Sequence, residues 1–83
     1  MTKRPATIHK VILCSGPRDY AAVVARDPSK ADWTPIYAES QLYGLWISEW
    51  AITERAGNNM RQLGRMCRYL ETRARLTRLA HPN

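Results

Sequence analysis

The chain has 83 residues, with 13 Lys or Arg against 7 Asp or Glu and a formal net charge of +6. That length gives one small domain spanning 1–83, with no room for a second, and an apolar fraction of 45% excludes wholesale disorder. Cys14 and Cys67 are isolated, with no CxxC spacing and no histidine pair nearby. They argue against a zinc site or a disulfide framework and for two buried thiols in a reducing compartment.

Taken in order, residues 1–6 read as a loose basic arm. Thr7 to Cys14 is rich in β-branched and aliphatic residues and ends at Ser15-Gly16-Pro17, a strand followed by a turn. A lone strand leaves its edge groups unpaired, so it is expected to pair with its copy in a homodimer or to join a partner's sheet. Pro17 suits the first position of a helix, and Arg18 to Arg26 carries Tyr20, Val23 and Val24 as its apolar residues. Residues 28–35, bounded by Pro28 and Pro35, read as a loop holding Trp33, which is either a lid on the core or an exposed anchor.

Thr34 and Pro35 then resemble the start of a second helix, predicted over residues 36–55. Leu42, Tyr43, Trp46, Ile47 and Trp50 fall on one of its faces. Gly57 and Asn58-Asn59 follow as a helix stop and a new cap. The last helix is predicted from Asn58 to Leu79, with Met60, Leu63, Cys67, Leu70 and Ala74 as its apolar stripe and 80–83 as a tail. The expected fold class is therefore mainly α: a short N-terminal β-strand, a short helix and two longer amphipathic helices, as a ribbon-helix-helix-like or helical-hairpin arrangement.

Charge is placed unevenly. Residues 1–54 hold six basic and six acidic side chains, whereas 55–83 hold seven arginines and one acid, Glu71. The whole excess therefore sits in the last third, which points to an anionic partner. On the predicted helix Arg61, Arg65, Arg68 and Arg75 share a face beside the apolar stripe. Asn59 and Gln62 add hydrogen-bonding groups near its start, and Tyr69 lies beside it. Such a face is either solvated or meets phosphates, with an aromatic ring positioned to stack. Asn59, Arg61, Gln62, Arg65, Arg68, Tyr69 and Arg75 are thus the candidate binding residues, for duplex DNA or for an acidic host protein surface.

Other classes find little support. His9, Cys14 and Asp19 do not form a catalytic set, because positions 9 and 14 point to opposite faces of a strand. SGPRD lacks the phosphate-loop spacing, and no cofactor or metal motif occurs, so the expectation is a binding protein and not an enzyme. No stretch approaches the ~20 apolar residues of a membrane span, and the apolar run Val11 to Cys14 is too short for a secretory signal. The expected location is the cytoplasm.

One local motif carries a resemblance. Arg55 to Arg65 reads RAGNNMRQLGR, which resembles a motif of plasmid mobilisation accessory proteins of the MobC type, R-x-G-N-N-L-N-Q-I-A-R before a long helix. Arg55, Gly57, Asn58, Asn59, Gln62 and Arg65 match it. Arg61 stands where that family usually has asparagine, and Gly64 where it has alanine. The resemblance implies a DNA-binding accessory protein that assists a relaxase, often on a ribbon-helix-helix core. The leading expectation is a small basic DNA-binding accessory or regulatory protein. The alternative is an inhibitor encoded by a phage or mobile element, of the anti-CRISPR kind, which binds a host protein through the same basic face or through its aromatic surface.

Overall fold

The computed structural model describes residues 8–59, 63–77 and 79, Asn59 by its backbone alone. The predicted arm at 1–6 and the tail at 80–83 lie outside the described residues. The chain runs β1 (Ile8–Leu13), α1 (Pro17–Arg26), a 3-10 turn (Pro28–Asp32), β2 (Thr34–Ile36), a second 3-10 turn (Glu39–Gln41), β3 (Trp46–Ile52), α2 (Glu54–Asn59), α3 (Leu63–Glu71) and β4 (Arg75–Leu76). The four strands form one sheet in the order β2-β1-β3-β4, and every neighbouring pair is parallel. The mainly helical expectation, in both its ribbon-helix-helix and its hairpin form, is overturned by this sheet.

The first strand stands where the sequence places it, but its partners come from the same chain. Val11–Leu13 pair with Thr34–Ile36 on one side. Ile8–Leu13 pair with Trp46–Ile52 on the other. Neither edge of the strand needs a second copy to satisfy it.

The helix expected over 36–55 is where sequence and structure part most. Its first residue closes β2, and its middle forms β3. Gly44 has φ +89°, a left-handed backbone that ends helical continuity and that glycine adopts without strain. The tryptophans at 46 and 50 and the isoleucines at 47 and 52 favour a pleated strand. Period-two alternation is hidden for two reasons. The interior strands of a parallel sheet are covered on both faces, so Trp50 and Ala51 are buried side by side. The register also slips between His9 and Lys10, because Ser48 is an extra residue on β3. Pro35, expected as a first helical residue, sits in the short edge strand β2, where a missing N–H is tolerated.

Helices cover both faces. Ile12, Cys14 and Ala51 point to the α1 side, where Trp33 is buried and Tyr20 and Val23 pack. Trp33 is therefore the lid of that layer. The Tyr20 hydroxyl lies within 2.8–3.0 Å of the Lys30, Ala31 and Trp33 carbonyls and ties the first 3-10 turn to α1. Val11, Leu13 and Trp50 point to the opposite side, against Ala56, Met66 and Leu70 of α2 and α3. α1 starts at Pro17 and carries Arg26 in its last turn, as its sequence implies.

Within the span 58–79 predicted as one long helix, the described residues hold the end of α2, α3 and the strand β4, and β4 contradicts a helix running to Leu79. Gly57, read as a helix stop, lies inside α2. α3 ends at Glu71, where Thr72 Oγ1 donates to the Tyr69 carbonyl at 2.9 Å and the Ala74 N–H returns to the Leu70 carbonyl at 2.8 Å. Arg75 and Leu76 then join β3. The apolar stripe is legible in part: Leu63, Cys67, Leu70 and Ala74 all meet the core, together with Met66, which the stripe omits.

Candidate functional site

The sequence-predicted binding residues are dispersed over three elements. Arg65, Arg68 and Tyr69 lie on α3, and Arg75 lies on β4. Asn59 is the last described residue of α2. Arg61 and Gln62 lie outside the described residues. Arg65 is 70% exposed, and its Nε stands 3.2 Å from Glu39 Oε2 while Nη2 donates to Oε1 at 3.2 Å. The hydroxyl of Tyr43 donates to the same carboxylate. That hydrogen bond, with a smaller share from desolvation, raises the Tyr43 pKa. Tyr43 meets Tyr69 edge to face at 4.9 Å between ring centroids, and the Arg73 guanidinium covers Tyr69 at 3.9 Å. The result is an exposed arginine and tyrosine surface joining the second 3-10 turn to α3. The sequence pattern puts Tyr43 in a core stripe and does not single out Arg73.

Arg75 is exposed beside Glu49 in the strand register. Glu49 already receives the Thr77 hydroxyl at 2.6 Å and lies 4.0 Å from Lys10 Nζ. Arg68 is exposed on α3. Every described arginine of the last third, namely Arg55, Arg65, Arg68, Arg73 and Arg75, is exposed.

A second locality is not singled out by the sequence. After β1 the chain turns through Ser15 and Gly16 into α1, and after β3 it turns at Thr53 into α2. Asp19, 8% exposed, joins the two turns. Its Oδ2 accepts from the Ser15 N–H at 2.9 Å, from Ser15 Oγ at 3.3 Å, and from the Thr53 hydroxyl. Thr53 Oγ1 also accepts the Ala56 N–H at 3.0 Å and so caps α2. The Thr53 N–H donates to the Leu13 carbonyl at 3.0 Å, which carries the β1–β3 ladder into the turn.

A cleft of about 1080 Å³ opens beside this knot. Arg18, Arg26, Thr53, Arg55 and Asn58 are among its lining residues. The sequence signal for it is the Ser15-Gly16-Pro17 turn directly after an aliphatic strand. Its other half has no signal of its own, because the residues of β3 also satisfy a helical stripe.

Cys14 adjoins the knot. Burial, with the Asp19 carboxylate as the smaller cause, pushes its thiol from 9.0 to about 12. Burial also raises the Cys67 thiol. A thiol at about 12 is protonated at pH 8.5, so iodoacetamide is expected to leave Cys14 unmodified in the folded protein and to alkylate it after denaturation. The same displacement sets a pH dependence. The unfolded thiol ionises near 9 and the folded one near 12, so the unfolded state loses its proton first. Stability is therefore full below pH 9 and falls as pH rises toward 12, by up to ~1.4 kcal/mol per pH unit from this group. Urea titrations at pH 8, 9.5 and 10.5 check this, and Cys14→Ala should flatten the trend.

Together these features define a small doubly wound α/β domain with a basic exterior. No family model, curated protein or solved structure matches the chain. Among the described residues no helix is long and apolar enough to cross a membrane, and no group of three His, Cys, Asp or Glu is placed to hold a metal ion.

Proposed function

We propose that the protein is a small basic accessory or regulatory protein that binds nucleic acid, duplex DNA first, through the arginines of its C-terminal third. One observation carries this reading: seven arginines face one acid in that segment, and all five that are described are exposed. Arg65 is held by two contacts to the Glu39 carboxylate, which is only 11% exposed, but its own side chain is 70% exposed, and a guanidinium has further donors for a phosphate. Arg73 stacked on Tyr69 presents a cationic, flat surface suited to a sugar-phosphate strand. The MobC-like motif at 55–65 supports a DNA accessory role at the level of that motif. It does so without a ribbon-helix-helix core, whose place the parallel sheet takes. A cytoplasmic location belongs to the same proposal; the homodimer expected from a lone strand does not, because β1 is paired on both edges within the chain.

Fluorescence anisotropy with a random labelled duplex at 50 and 200 mM salt tests it. Binding should weaken steeply with salt. Changing Arg68, Arg73 and Arg75 together to Ala should lower the log–log salt slope by roughly 0.9 for each phosphate no longer neutralised. Absence of binding at low salt sinks the reading. A second reading, an inhibitor docking on a host protein, is favoured by one observation. Trp46 and Ile8, neighbours across β3 and β1, are 68% and 67% exposed, and an exposed tryptophan beside an aliphatic residue is the kind of anchor that protein interfaces use.

A further inference from the structure

We propose that the uncovered half of the sheet face on the α1 side is a platform for single-stranded nucleic acid, with Trp46 under an unpaired base and Lys10 and Arg75 beside the flanking phosphates. The proposal rests on the nucleic-acid reading above and adds to it a second surface and the form of strand that this surface takes.

The lengths of the elements leave this half open. β1 has six residues, but β2 pairs only with Val11–Leu13, and the layer of α1 and Trp33 packs on Ile12, Cys14 and Ala51. Ile8 and Lys10 alternate with Ile12 along the strand and so share its face. Glu49, two residues before Ala51, pairs with Lys10 on one side and with Arg75 on the other. Lys10, Glu49 and Arg75 thus form one row across β1, β3 and β4 on this face. Ile8 and Trp46, paired in register, form the row before it. Ile47 packs into the opposite cluster, which turns Trp46, its neighbour on the strand, toward the α1 side. Trp46 is 68% and Ile8 67% exposed, and Lys10 and Arg75 are exposed as well.

The chemistry of the two rows selects the occupant. An indole lying open on a sheet stacks on any base whose own face is free. Inside a duplex both faces of each base are covered by its neighbours, so the ring selects unpaired strands. The rows are about 6.6 Å apart, two residues at ~3.3 Å each, which puts both cations within reach of the phosphates beside a base seated on Trp46. Glu49 lies between them, but it receives the Thr77 hydroxyl at 2.6 Å and stands 4.0 Å from Lys10 Nζ, so the row keeps an excess of positive charge. The same row decides against a protein as the occupant. A protein anchor is ringed by contacts that exclude water, and lysine and glutamate are depleted from interface cores.

The test uses the full chain and an oligothymidylate of about eight nucleotides, inside the usual ~4–16 nucleotide site size. The chain has three tryptophans, and Trp33 and Trp50 are 6% and 3% exposed, so acrylamide quenching reports on Trp46. Saturating oligothymidylate at low salt should quench the Trp46 emission and shield it from acrylamide. By anisotropy of the labelled strand, Trp46→Ala should bind at least about fivefold more weakly, the low end for one stacked base, and Trp46→Phe should recover part of the loss. Duplex affinity should be unchanged in both variants, whose far-UV spectra and urea midpoints verify the fold. Full oligothymidylate affinity in Trp46→Ala, a Trp46 that stays open to acrylamide at saturation, or duplex binding without single-strand binding overturns the platform alone and leaves the tryptophan to a protein partner. An equal loss of duplex affinity in Trp46→Ala overturns its strand selectivity. Failure of both strand forms to bind at low salt sinks the nucleic-acid reading and the platform together.

Discussion

Replacing Asp19 by Ala is expected to cost about 3 kcal/mol and to lower the melting temperature by about 12–24 °C, at ~4–8 °C per kcal/mol for a domain of this size. The carboxylate is 8% exposed and receives three donors. Removing it leaves the Thr53 hydroxyl, on a residue 5% exposed, without its acceptor, and unties the turn at Ser15, and the loss of a buried acceptor costs more than the net worth of the bond it made. The loss is also architectural. Asp19 hydrogen-bonds the turn after β1 to the turn after β3, 34 residues apart in sequence. Thr53→Val removes the same donor together with the cap on Ala56, for about 2 kcal/mol. Because both variants break one network, the double variant should fall short of the sum by at least ~0.5 kcal/mol. Urea denaturation of the four proteins measures this. Additive losses would mean that Asp19 and Thr53 act separately.

That knot shows where the sequence is readable and where it is not. β1 declares itself through a run of aliphatic residues closed by Ser15-Gly16-Pro17, and α1 through Pro17 at its first position. The faces of α3 are legible because Leu63, Cys67 and Leu70 recur at helical spacing over a short, solvent-facing element. β3 is not. Trp46 and Trp50, four apart, with Ile47 between them, satisfy a helical stripe as well as they satisfy a strand. The bulge at Ser48 then removes the alternation that would decide the matter.

With β3 read as helix, β1 has no partner in the chain. The parallel sheet, the divergence of its connections and the cleft all disappear with it. The end of α3 is unreadable for a different reason. Residues 72–76 contain no glycine or proline, and what stops the helix is the opportunity for Arg75 and Leu76 to pair with β3. That is a tertiary cause with no local signature. Charge is the part least affected by these errors. The excess of arginine in the last third is a property of composition, and its described members are exposed in two helices and a strand as they would be on one helix.

The second large effect is expected at Leu13. Leu13→Ala should cost about 3–4 kcal/mol, within the usual range for a fully buried leucine that leaves a cavity. The side chain is 0% exposed and belongs to the cluster with Ile36 of β2, Trp50 of β3 and Met66 and Leu70 of α3. Its backbone is held from both sides: its carbonyl accepts the Thr53 N–H at 3.0 Å, and the next residue's N–H reaches the Ile36 carbonyl at 3.0 Å. With strands on both edges and helices on both faces, the backbone around Leu13 has little room to collapse into the void, so most of the cavity term should persist. Leu76→Ala supplies the contrast. It truncates a residue 47% exposed on the edge strand β4 and should stay within about 0.5 kcal/mol.

The comparison separates the two architectures that the sequence allows. If the first strand were a peripheral ribbon pairing only with a second copy, Leu13→Ala would act chiefly on association, and its unfolding midpoint would move with protein concentration. As the central strand of an intrachain sheet, it should give a loss of several kcal/mol that stays constant from micromolar to millimolar protein.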